Sequence, residues 1–202
     1  MKILPPLLLL ISLLACTAHS PSPDTDTLSY RKPGDTIDSI LPMAEYLRRF
    51  RAGLDTSRAL QGGEATETDL ARQFLAAVSR RDTSALAALV VTRAEFGWLI
   101  FPDHRYAEQP YALDPALFWG QLTNVNARGI QRVLARHGGE PLTFHGMTCE
   151  ADTLQMLRGP ARIVGPCRVE YQAGDSLLTR QLFGSLVLRD GRVKLLSYAN
   201  DF

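Results

Sequence analysis

The sequence predicts an α+β domain in which N-terminal helices pack on one face of a curved, antiparallel, four-stranded sheet. Three observations predict it. Between residues 35 and 139 apolar side chains recur at three- and four-residue spacing, whereas past Glu140 the period falls to two. Three turn signals, Arg158-Gly159-Pro160, Ala173-Gly174-Asp175 and Asp190-Gly191, divide the later region into four strand-like segments. Connections this short make the strands an antiparallel meander, and about 165 ordered residues suit one domain.

The helices follow in order. Ile37, Ile40, Leu41, Ala44, Leu47 and Phe50 form an apolar stripe, with Pro42 near its start and Gly53 after its last turn. A short helix is expected there, in an extension over 35–65 that ends in a loop with Gly62-Gly63. Thr66 and Asp69 make a capping pair ahead of Leu70, Phe74, Ala77 and Val78. Asp82 or Thr83 caps a further helix carrying Leu86, Leu89 and Val90. Thr92-Arg93-Ala94-Glu95 again has capping-box spacing and introduces Phe96, Trp98, Leu99 and Phe101. Asp114-Pro115 opens the last helix, because proline suits the first helical position. Its stripe runs from Leu117 to Leu134, with Gly129 as a weak point.

The strand segments are 142–150, 162–172, 176–188 and 192–198, rich in Val, Leu, Phe and Tyr. Asp190-Gly191 is the strongest hairpin signal, since these residues accept the positive φ angles of a two-residue turn.

At the N-terminus, Met1-Lys2 precedes an apolar run over 3–14 that is shorter than the roughly 20 residues needed to span a bilayer. It fits the core of a secretory signal. The ending Leu13-Leu14-Ala15-Cys16 resembles the lipobox of bacterial lipoproteins. That resemblance implies a signal peptide over 1–15, with Cys16 lipidated and a disordered tether continuing to residue 34. Two or three acyl chains, at about 0.8 kcal/mol per buried methylene, would anchor the mature protein to a bilayer. Thr17 in place of the aspartate that retains enteric lipoproteins at the inner membrane implies the outer membrane, facing the periplasm. The Ser-, Thr- and Pro-rich stretch over 17–34 buries too little to fold.

Lysine and arginine number 22 against 21 acids, with no basic run, so no electrostatic footprint for nucleic acid is present. Arg48, Arg49 and Arg51 read as a solvated helix face.

The stretch ARQFLAAVSRRDTSALAAL over 71–89 looks like the opening helix, Asp turn and second helix of the nuclear transport factor 2-like superfamily. LFGSLVLRDGRVKLLSYANDF over 182–202 looks like its closing hairpin. The resemblance covers 66–202 and implies a cone-shaped fold shared by ketosteroid isomerases, polyketide cyclases and ligand-binding domains. Residues 95–139 are longer than that fold's usual third helix, and its catalytic acids do not map onto this chain.

With Cys16 lipidated, Cys149 and Cys167 remain as an even pair in an oxidising compartment. A bridge between them would close a loop of about 18 residues and stabilise by about 3 kcal/mol. The alternative is two free thiols, if their Cα atoms lie more than about 7 Å apart. His104, His137 and His145 are far apart and His19 is in the tether, so no metal is expected. The nucleophile elbow, phosphate loop and dinucleotide turn are missing, and no cofactor is implied.

Seven of the 16 aromatic residues fall between Phe96 and Trp119, around Asp103-His104-Arg105. Trp98, Phe101, His104, Tyr111 and Trp119 are therefore the candidate lining of a small-molecule cavity. The competing reading has the rings filling the core between helices and sheet. Two functions follow: a noncatalytic envelope module binding an apolar small molecule or an envelope protein, or an isomerase, cyclase or hydratase using Asp103 or His104 as general base. A purely structural lipoprotein would have no enclosed cavity.

Overall fold

The computed structural model describes residues 41–151 and 156–202. Cys16, the signal and the tether, together with Ile37 and Ile40 of the first stripe, lie outside the described residues. Residues 41–202 form one unit of helices and antiparallel sheets.

Helices α2 to α5 each begin at a side-chain cap, whereas α1 follows Pro42 without one. Helix α1 is Met43–Arg51, and α2, Glu67–Ser79, is capped by the Thr66 hydroxyl, which accepts from the Asp69 amide at 3.0 Å. The Asp82 carboxylate accepts from the Ala85 amide at 2.9 Å and starts α3, Thr83–Ala88. Helix α4, Arg93–Glu95, opens on a complete capping box with Thr92. The last helix, α5, is Pro115–His137, capped by Asp114. Among the described residues no helix is long and apolar enough to cross a membrane.

Helix α4 does not run on to Phe101 as an α-helix. It widens into a π-helical turn, Phe96–Ile100, then tightens into 3₁₀ turns at Phe101–Asp103 and Arg105–Ala107. Pro102 supplies the reason, because it has no N–H to give back to the preceding turn. The Phe101 amide reaches Phe96, and the Gly97 and Leu99 carbonyls take guanidinium donors instead, from Arg51 at 2.9 Å and Arg189 at 3.1 Å. The π-turn thereby ties α1 and a strand end to itself.

Among the described residues the four expected strands are six, in two three-stranded sheets. Strands β1 (Leu142–Cys149), β3 (Cys167–Ala173) and β4 (Ser176–Phe183) form one, in the order β1-β3-β4. Strands β2 (Arg162–Val164), β5 (Leu186–Arg189) and β6 (Arg192–Leu195) form the other, in the order β2-β5-β6. The predicted strand over 162–172 breaks at Gly165-Pro166, where proline cannot donate to the ladder and Gly165 has φ 123°. The predicted strand over 176–188 breaks opposite, at Gly184-Ser185. A Cβ on Gly165 would lie 2.9 Å from both the Gly184 oxygen and the Ser185 Cα, so the two breaks can lie this close only with glycine at that position.

In β1 the register against β3 skips His145, between Phe144 and Gly146. This bulge resets the alternation, so Leu142 and Phe144 face inward before it and Met147 and Cys149 after it.

Two cores result. The first lies between α2, α3, α5 and the first sheet, around Phe74, Leu86, Val133, Tyr171 and Phe183. The second lies among α1, the π-turn, the start of α5 and the second sheet, around Phe50, Phe96, Phe101, Ile163 and Val187. Strands of the second sheet feed both: Leu186, Val193 and Leu195 enter the first core, and Ile163 and Val187 the second. At Leu186-Val187 of β5 and Val193–Leu195 of β6 both faces are covered, and burial there is continuous rather than alternating.

Candidate functional site

Most of the aromatic segment fills the second core. Phe96 stands at its centre, with the rings of Phe50, Phe101, Phe118 and Trp119 at 5.8, 5.4, 5.6 and 5.2 Å. Phe101 is fully buried, Trp98 and Trp119 are half-buried, and Tyr111 is 50% exposed, its hydroxyl accepting from Arg105 at 3.0 Å. The Arg51 guanidinium covers the Trp98 ring at 4.1 Å. The Trp98 indole N–H is the buried side-chain polar atom without a partner among the described residues.

A cavity of about 340 Å³ opens beside this core, within the range that holds small molecules. Phe118 of α5, Ile163 of β2 and Leu196 after β6 give it apolar walls. Its polar residues are His104, Glu150 and Ser185, and the Gly165-Pro166 break forms part of its rim. A larger depression of about 580 Å³ adjoins it, sharing Ala151 and Ile163 and carrying Arg158 and Arg162.

His104 is 1% exposed, with its ring 5.1 Å from that of Phe118 and stacked behind by Phe101 at 6.3 Å. The Tyr106 amide donates to its Nδ1 at 3.1 Å. An accepting Nδ1 carries no proton, so the imidazole is neutral with its hydrogen on Nε2. In that tautomer Nε2 is the donor nitrogen of the ring. Asp103, next in sequence, is not among the residues lining the cavity; its carboxylate packs against Gly159.

Of the residues selected from sequence, then, His104 lines the cavity and Phe101 supports it, while Trp98, Tyr111 and Trp119 do not line it. Glu150, Ile163, Ser185 and Leu196 escaped sequence reading. The glycine-proline pair inside an apparent strand was the available signal, since such a break exposes chain to a ligand.

Cys149 and Cys167 are joined, sulfur to sulfur, at 2.03 Å and are direct partners in the β1–β3 register. Immediately beyond, the Glu150 amide donates to the Pro166 carbonyl at 3.1 Å and the Gly165 amide to the Glu150 carbonyl at 2.7 Å. The rim residue Glu150 is thus held by a covalent link on one side and two backbone hydrogen bonds.

Two other polar clusters are structural. Lys194, on the second core's side of β6, meets Glu95 at 2.9 Å, with 2% and 1% side-chain exposure. Burial works to raise the Glu95 pKa, but amide hydrogen bonds from Thr92 and Gln61 and the Lys194 ammonium outweigh it and hold it below the usual carboxylate value. Lys194 also donates to the Gln61 carbonyl at 3.0 Å, so all its protons are used. In the first core, the Tyr171 hydroxyl meets His137 Nε2 at 2.9 Å while Nδ1 faces the Glu140 carboxylate at 3.2 Å. Burial pushes the Tyr171 phenol up. Among the described residues no three His, Cys, Asp or Glu side chains are grouped to hold a metal.

Compared with family models, curated proteins and solved structures, the chain matches none.

Proposed function

We propose that the chain is a cell-envelope lipoprotein, anchored through Cys16 to a bilayer and facing the periplasm from the outer membrane, whose α+β domain binds an apolar small molecule without transforming it. The carrying observation is the cavity of about 340 Å³ beside His104, with apolar walls and three polar residues. The lipobox Leu13-Leu14-Ala15-Cys16 supports the anchor, and the bonded pair Cys149–Cys167 agrees with an oxidising compartment. Within this reading the two sheets are halves of one strongly bent sheet, the cone of the nuclear transport factor 2-like superfamily, hinged where Gly165-Pro166 meets Gly184-Ser185.

Binding without catalysis is favoured over the isomerase, cyclase or hydratase reading by the hydrogen on His104 Nε2 and by the separation of Asp103 from the cavity. Two measurements test the proposal. Cys16→Ser should move the protein out of the membrane fraction or block its processing; unchanged membrane retention and mature mass would refute the anchor. Native mass spectrometry of the protein isolated from its membrane should show a retained small molecule, which Leu196→Trp, by filling the cavity, excludes. A bare protein that no apolar compound stabilises against heat removes the binding function.

A further inference from the structure

The charges around the cavity name a ligand class. Among the described residues that line it there is no lysine and no arginine, and His104 is neutral through its accepting Nδ1. Among the described residues of the lining Glu150 is the one acid; it is exposed, and its carboxylate has no ion pair or hydrogen-bond partner among them. The nearest competing cations are Arg158 and Arg162 in the adjoining depression. Glu108 already pairs with Arg158, and alternation along β2 sets Arg162 on the face opposite Ile163.

Resting on the ligand-binding reading, we propose that the cavity takes a small aromatic or apolar molecule bearing a cationic amine, with Glu150 selecting the charge. The apolar body sits against Phe118, Ile163 and Leu196. The ammonium meets the Glu150 carboxylate in a charge-assisted hydrogen bond, and the aromatic ring of Phe118 adds attraction for a cation. Glu150 is suited to this because its backbone is fixed before any ligand arrives, by the neighbouring Cys149–Cys167 bond and the exchange of hydrogen bonds with Gly165 and Pro166. An unpaired acid on a rigid rim selects charge at little ordering cost.

The test uses the mature lipidated protein in nanodiscs of zwitterionic lipid, with empty nanodiscs as control, and calorimetric titration with three probes of one shape: 2-phenylethylamine, 2-phenylethanol and phenylacetate. The amine should bind about tenfold tighter than the alcohol and phenylacetate weakest, as one charged hydrogen bond requires. Glu150→Gln should bring the amine down to the alcohol's affinity and leave the alcohol unchanged, while Glu150→Asp retains the preference. Equal binding of amine and alcohol by the unmodified protein, or an amine preference that survives Glu150→Gln, overturns the charge selection and leaves the cavity's function standing. No binding of any probe overturns both.

Discussion

Lys194 and Glu95, 99 positions apart in the chain, meet at 2.9 Å where neither side chain reaches water. Val193, Lys194 and Leu195 of β6 are all buried, so a charge there needs a counter-charge, and the capping box of α4 delivers one already held by two amides. Removing one member of such a pair strands the other. Lys194→Met should therefore cost about 3–5 kcal/mol in denaturant unfolding. Lys194→Met combined with Glu95→Gln, which keeps an acceptor for Gln61 or Thr92, should recover part of that loss.

The same pair sets a pH dependence. The Glu95 pKa is lower folded than unfolded, so its contribution is complete above the ordinary carboxylate pKa and is lost as pH falls through the lower folded value. Unfolding free energies followed from neutral into acid solution should fall less steeply for Glu95→Gln than for the unmodified protein. An unchanged acid slope would show that the carboxylate binds its proton equally well in the folded and unfolded chain.

Gly129, within α5, marks a close approach. A Cβ there would run into the Tyr198 carbonyl oxygen, and the Gly129 carbonyl accepts from Asn200 at 2.8 Å. Alanine favours a helix by about 1 kcal/mol over glycine, yet here Gly129→Ala should destabilise, by about 1–3 kcal/mol, because the C-terminal segment must shift. A raised melting temperature would contradict this contact.

In the first core, Tyr171→Phe removes the hydroxyl that meets His137 Nε2 and leaves a ring nitrogen without its partner at 4% residue exposure. The expected loss is about 1–3 kcal/mol. Glu140→Gln, on the other ring nitrogen, Nδ1, where the carboxylate side chain is 54% exposed, should change stability by less than about 1 kcal/mol. Paired denaturation curves compare the two.

Reduction of Cys149–Cys167 should add two hydrogens to the mass and lower stability by about 3 kcal/mol, the loop spanning 18 positions. Oxidised and reduced protein titrated with denaturant give the difference directly.

The sequence made the helix starts readable because each depends on a few neighbouring residues: Thr66 with Asp69, Asp82 with Ala85, Thr92 with Glu95. The hairpin at Asp190-Gly191 is equally local, with φ of 49° and 70° at its two residues. The six-stranded division was not readable from periodicity, since Gly165-Pro166 and Gly184-Ser185 interrupt segments whose apolar content continues unbroken. Nor was the π-turn, which arises from the amide that Pro102 lacks and from arginines 46 and 90 positions away. At the cavity, sequence proximity joined Asp103 to His104, but the chain turns the first toward Gly159 and the second into the core. Glu150 and Ser185 reach the cavity only through strand pairing distant in sequence.

Strand β3 alternates buried Cys167, Val169 and Tyr171 with the less buried Arg168, Glu170 and Gln172, while Leu186 and Val187 of β5 lie buried side by side. For variation this divides the domain into two regimes. Every second position of β3 can drift freely in character, but neighbouring positions of β5 each answer to a different core, so a change that suits one neighbourhood has no neutral direction in which to move. Divergence of this chain should accumulate on β3 and stall on β5, and the cavity wall at Ile163 lies directly opposite one of those immobile positions, Val187.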